Sequence, residues 1–148
     1  MTDLELLQLA LKIAIKAHAN QFDKIGNPYI KHPVAVCNML TDLKDKQVAL
    51  LHDVCEDSSI TLDDLKAYGF SFEVVSAVEA ITKRKDEPYE EYIARVKKNK
   101  IATRVKICDI KHNQDPSRIC LATEADRQRQ EKYKRALIVL QSKNDRIL

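Results

Sequence analysis

Leucine and alanine recur through the N-terminal segment at helical spacing, at Leu4, Leu7, Leu11, Ala14 and Ala17. This three-to-four repeat predicts an amphipathic helix over residues 3–20, with Asp3 as its cap. The segment QFDKIGNPY, residues 21–29, loses the repeat and carries Gly26 and Pro28, so it is expected to be a loop. A second helix should begin near His32-Pro33, where proline suits a first turn, and end near Leu43. The run KQVALLHDVCED, residues 46–57, extends as a third helix with an apolar N-terminal half. Thr61 should cap TLDDLKAYG, which Gly69 closes, and Ser71 should cap FEVVSAVEAITK. Pro88 opens PYEEYIARVKK, and KIATRVKICDIKHN follows, apolar at Ile101, Val105 and Cys108. A charged last helix is expected over residues 124–142, with Leu137, Val139 and Leu140 turned to the core. No strand pattern, internal repeat or linker interrupts the series. The expectation is one all-α domain over residues 1–148, a bundle of seven or eight helices.

Composition supports a folded helical domain. Apolar residues make up 45% of the 148, enough for a core, and two glycines are too few for a fold made of tight β-turns. A net charge of +3 does not by itself suggest a nucleic-acid binder. The basic clusters Lys97, Lys98, Lys100, Arg104, Lys106 and Arg127, Arg129, Lys132, Lys134, Arg135 are expected to be solvated helix faces. The start of the chain lacks the charge pattern of a signal peptide, and no apolar run is long enough to span a bilayer. Cys37, Cys55, Cys108 and Cys120 form no CxxC pair, which excludes common structural-zinc spacing. They are expected to be reduced, buried small residues in a cytosolic protein.

The chemistry concentrates in three segments. In His52-Asp53-Val54-Cys55-Glu56-Asp57, a continuous helix would place His52 with Glu56, and Asp53 with Asp57, on shared faces. Such charges at the end of an apolar helix need compensation, and a divalent cation provides it. The competing reading is the polar end of a helix. Asp109 stands in an apolar helical run beside Ile107, Cys108 and Ile110, with Lys106 one turn before and Asn113 one turn after. Its competing reading is a buried ion pair with Lys106. His32 opens a helix in PYIKHP.

The ordered set GNPYIKHP, LLHDVCED and VKICDIKHN resembles the HD-domain metal-dependent phosphohydrolases. Within them it is similar to the guanosine tetraphosphate hydrolases, both the small stand-alone enzymes and the hydrolase half of the RelA/SpoT proteins. The resemblance covers roughly residues 10–113. It implies metal ligands at His32, His52, Asp53 and Asp109, and a catalytic acidic pair at Glu56 and Asp57. Lys24, Asn113 and Tyr29 fall on positions near the substrate, whereas His18 and His112 are not ligands. Mn²⁺ is the first expectation for the cation, with Fe, Co, Ni and Zn as alternatives. Asp23 departs from the pattern, since a basic residue is expected there and a carboxylate repels a highly charged nucleotide. Arg118 is a further candidate cation for the pocket.

The implied activity is metal-dependent hydrolysis of a phosphorylated nucleotide, resembling guanosine 3′,5′-bis(diphosphate) 3′-pyrophosphohydrolase. The cation activates water and polarises a phosphoryl oxygen, and Glu56 or Asp57 moves the proton. Alternatives are another HD-type hydrolase (a 5′-nucleotidase or a nucleoside-triphosphate hydrolase) and a non-enzymatic nucleotide sensor. The expected partner is a small phosphorylated nucleotide, with neither membrane nor nucleic acid; a second copy of the chain stays open.

Overall fold

The computed structural model describes residues 1–143, so the last five positions of the expected domain lie outside the described residues. The described residues form nine helices and no strand: α1 (Asp3–Ala17), α2 (Lys31–Asn38), α3 (Leu43–Leu51), α4 (Val54–Asp57), α5 (Leu62–Ala67), α6 (Phe72–Ile81), α7 (Tyr89–Lys97), α8 (Lys100–Asn113) and α9 (Glu124–Gln141). The all-α class follows the helical periodicity, and most starts follow the capping chemistry. Thr61 accepts from the Asp64 amide in a reciprocal capping box, Ser71 accepts from the Val74 amide, and Pro88 precedes the first residue of α7. Gly69 ends the α5 segment at φ +103°, a conformation that costs other residues.

Four local expectations change. Thr2, not Asp3, caps α1, because only its hydroxyl reaches the Glu5 amide while Glu5 reaches back. The second helix stops at Asn38, and Leu43 instead begins α3 behind the cap Asp42. The third helix breaks at His52-Asp53 and resumes as α4, which accounts for the count above eight. In α9, Ala136 and Leu140 are buried and Leu137 packs against them, but Val139 is exposed. Of the cysteines, Cys37 is buried and the other three are half-buried.

Helix α3 lies at the centre and packs on α1, α2, α6 and α8. Its Val48, Ala49 and Leu51 are fully buried. A forked ion pair ties it to α8, with Arg104 Nε and Nη2 donating to Asp45 at 2.7 and 2.9 Å. Lys97 donates to the carbonyls of Leu140 and Ser142. Thus Lys97, Arg104 and Lys106 of the first basic cluster are engaged within the fold. No described helix is long and apolar enough to cross a membrane.

Candidate active site

The break after α3 sets the site's geometry. Regular helix would turn consecutive side chains about 100° apart. Here His52 Nε2 lies 3.1 Å from Asp53 Oδ2 and 3.4 Å from Asp109 Oδ1. His32, from the first turn of α2, brings its Nε2 to 2.6 Å from Asp109 Oδ1. Ligand atoms of His32, His52 and Asp109 all lie within 4.8 Å of one another, and the three residues are 2%, 3% and 4% exposed. Asp53 adjoins this group and accepts a hydrogen bond from the Tyr29 hydroxyl at 2.5 Å.

The donor set suits a divalent cation, and His52 shows why. Its Nδ1 faces the Ala49 carbonyl at 2.5 Å, which only an N–H can satisfy. In the neutral ring Nε2 is therefore a bare lone pair. It is buried without a hydrogen-bond partner among the described residues and faces two carboxylates. Either a proton or a metal ion must sit among these groups. Burial opposes a charge on His52, yet Asp53 and Asp109 outweigh it and hold the imidazole well above its ordinary range. Burial likewise raises the Asp53 carboxyl, but the cationic His52 and the Tyr29 hydroxyl bring it down to about 2. The same negative field attracts a metal ion.

The surroundings fix the donors. His32 Nδ1 lies 2.7 Å from His112 Nδ1, and the two rings stack with centroids 4.9 Å apart. Whichever ring carries that proton, the bond orients His32 from behind. Lys106 Nζ donates to Asp109 Oδ2 at 2.9 Å and stands over the Tyr92 ring. Burial opposes the charges of both partners, but their attraction keeps Lys106 well above and Asp109 well below their usual ranges. The two readings of Asp109 thus coexist: one oxygen is in an ion pair and the other faces the histidines.

Glu56 and Asp57 diverge. The Asp57 amide still donates to the Asp53 carbonyl at 3.0 Å, so one helical turn joins these two residues. Asp57 Oδ2 accepts from Gln21 Nε2 at 3.1 Å and lies 3.9 Å from the Nδ1 of the buried His18. Glu56 Oε1 accepts from the Lys83 amide at 2.7 Å. Partial desolvation raises the Glu56 carboxyl more than that amide lowers it.

A cleft of about 330 Å³ opens beside Tyr29 and Asn113, between the loop 21–29 and α9. Lys24 lines it, but its ammonium pairs with Asp126 Oδ1 at 3.0 Å. Asn113 accepts from Arg118 Nη2 at 3.2 Å. The far wall, with Arg129, Gln130 and Tyr133, was missed by sequence reasoning. The only local signal was the four-residue spacing of Arg129 and Tyr133 on a helix whose basic cluster is read as a solvated face.

No protein-family model matches the chain. The chain is 42% identical over 84 residues to guanosine-3′,5′-bis(diphosphate) 3′-pyrophosphohydrolase of Vibrio cholerae, covering 54% of this chain and 12% of that one. The protein of the same name from Haemophilus influenzae is 35% identical over 115 residues, covering 68% and 17%. The bifunctional (p)ppGpp synthase/hydrolase SpoT of Escherichia coli is 40% identical over 81 residues, covering 52% and 11%. The chain is similar in sequence to part of each of these proteins. It spans between about a tenth and a sixth of these relatives. The chain also shares its fold with a solved metazoan ortholog of SpoT that hydrolyses ppGpp, at a TM-score of 0.76 and 23% identity, covering 93% of this chain and 86% of that one.

Proposed function

We propose that the chain hydrolyses the 3′-diphosphate of a guanosine nucleotide, of which guanosine 3′,5′-bis(diphosphate) is the type, with Mn²⁺ as its resident cation. The observation that carries this reading is the buried His52 Nε2, unpartnered and facing Asp53 and Asp109 next to His32. His32, His52, Asp53 and Asp109 would hold the ion. When bound, it supplies Lewis-acid activation of water and of a phosphoryl oxygen.

The chain's own groups do the rest. Glu56, anchored through Oε1 by the Lys83 amide, takes a proton from the attacking water through its second oxygen. Water oxygen bonds to the phosphorus attached to the ribose 3′ oxygen. The P–O bond breaks with its electron pair on the 3′ oxygen, which takes the proton that Glu56 received, giving pyrophosphate and a 3′-hydroxyl. Asp57, the second member of the acidic pair, is held by Gln21. Lys24, Arg118 and Asn113 contact the nucleotide in the cleft, and Tyr29 orients Asp53.

The test is product analysis on the purified chain with Mn²⁺, using a panel of guanosine 3′-diphosphates, mononucleotides and nucleoside triphosphates. Pyrophosphate released only from the 3′-diphosphates, and lost on chelation, is expected. Phosphate from mononucleotides would indicate a 5′-nucleotidase instead, and binding without turnover would indicate a sensor.

A pH profile addresses Glu56. As a base it acts ionised, and its pKa is raised, so kcat should fall as pH drops through that raised value. Glu56→Gln should lower kcat by about 10²–10⁴-fold and remove this acid limb. An unchanged acid limb in the variant would move the role to another group.

A further inference from the structure

The cleft's charges are already paired. Three cations line it: Lys24, Arg118 and Arg129. Lys24 Nζ and Arg129 Nη1 both donate to Asp126 Oδ1, at 3.0 and 2.9 Å. Arg118 Nη1 donates to Asp23 Oδ2 at 3.2 Å. The two carboxylates differ in position. Asp126 is buried and is not among the lining residues, whereas Asp23 forms part of the wall. Asp23 is also fixed in place. Its Oδ1 accepts the amides of Ile25 and Asn27 at 3.1 and 2.9 Å, which closes the turn around Gly26. The carboxylate cannot swing aside without opening that turn. Arg118 is equally constrained. Its Nη2 donates to Asn113 Oδ1 at 3.2 Å, and its buried Nε makes no hydrogen bond among the described residues.

A ligand anion that reaches Arg118 therefore meets a stationary negative charge on the same wall. Repulsion between like charges in a partly screened cleft grows with each charge the ligand adds, while the supply of cations stays constant. We propose that Asp23 is a specificity-determining residue that limits how many phosphate charges the cleft accepts. The inference rests on the reading of this cleft as the nucleotide site. It selects, among guanosine 3′-diphosphates, those with the fewest 5′ phosphates.

The test compares the wild type with Asp23→Asn. The amide keeps Oδ1 as the acceptor of the turn and replaces the charged oxygen that faces Arg118. KM is measured for guanosine 3′-diphosphates bearing one, two or three 5′ phosphates. In the wild type KM should rise with each phosphate. In Asp23→Asn the ratio of KM for the triphosphate to KM for the monophosphate should fall about tenfold, the order that one nearby unit charge produces in such a cleft. The change belongs in KM rather than kcat, which a general loss of structure would not reproduce. Calorimetric binding of inorganic phosphate, pyrophosphate and tripolyphosphate needs no turnover. There Asp23→Asn should favour tripolyphosphate over phosphate by a similar factor. If no guanosine 3′-diphosphate is hydrolysed by the wild type, the hydrolase reading fails and the inorganic series still decides the role of Asp23. Equal ratios in wild type and variant, in either series, overturn the proposal. Asp23→Ser, whose hydroxyl also accepts turn amides, serves if the asparagine variant does not fold.

Discussion

Asp53→Ala should leave a folded protein that has lost both its metal and its turnover. The argument is one of charge. Two carboxylates meet His32 and His52, but Asp109 shares its charge with Lys106, 2.9 Å away. Among the described residues, Asp53 pairs with no cation other than His52 when protonated, and its further donor is the neutral Tyr29 hydroxyl. Deleting it takes the negative surplus of the site to about zero and leaves a pocket with little attraction for a divalent ion. Elemental analysis of protein purified without added metal should show near-stoichiometric metal in the wild type and little in the variant. Turnover should fall by an order of 10³-fold or more, as when the main electrostatic element of a site is lost. Full metal content in Asp53→Ala would show that His32, His52 and Asp109 suffice, and full turnover would remove the metal site from the mechanism.

Lys106→Met tests the opposite member of the charge balance and should have the largest effect on stability. Met fills much of the same volume and preserves packing on Tyr92, but it takes the ammonium away from the buried Asp109 Oδ2. Removing one partner of a buried pair costs about 3–5 kcal/mol, because the other charge stays desolvated. Urea unfolding of metal-free protein should show this loss. Added Mn²⁺ should recover part of it, since the ion supplies the missing positive charge and binds only the folded state. A variant as stable as the wild type without metal would mean that Asp109 takes up a proton at little cost.

The helices were legible because their signals are local. Thr61, Ser71 and Pro88 sit within a turn of the residues they organise, and the apolar spacing of α8 runs to Ile110. The proximity of His32, His52 and Asp109 was not visible in periodicity; it came from motif resemblance, and the structure brings the three together. What stayed hidden was long-range charge pairing. Lys24 meets Asp126 across 102 positions, and Asp23 meets Arg118 across 95. Helical periodicity carries no information about such partners. It also suggested a continuous third helix, because Val54 and Leu51 are both apolar and nothing in the sequence of residues 46–57 breaks a helix. At the interruption His52 bonds locally to the Ala49 carbonyl, while the long-range partners are Tyr29 for Asp53 and Gln21 for Asp57.

That interruption limits how far the dipeptide can be transplanted. Grafted onto an uninterrupted helix of another scaffold, adjacent histidine and aspartate would diverge around the axis, and neither would complete a coordination sphere with the other. An engineer borrowing this arrangement would have to copy the bend together with the tyrosine and carbonyl that hold it, so the smallest portable unit is a corner of backbone rather than a pair of letters.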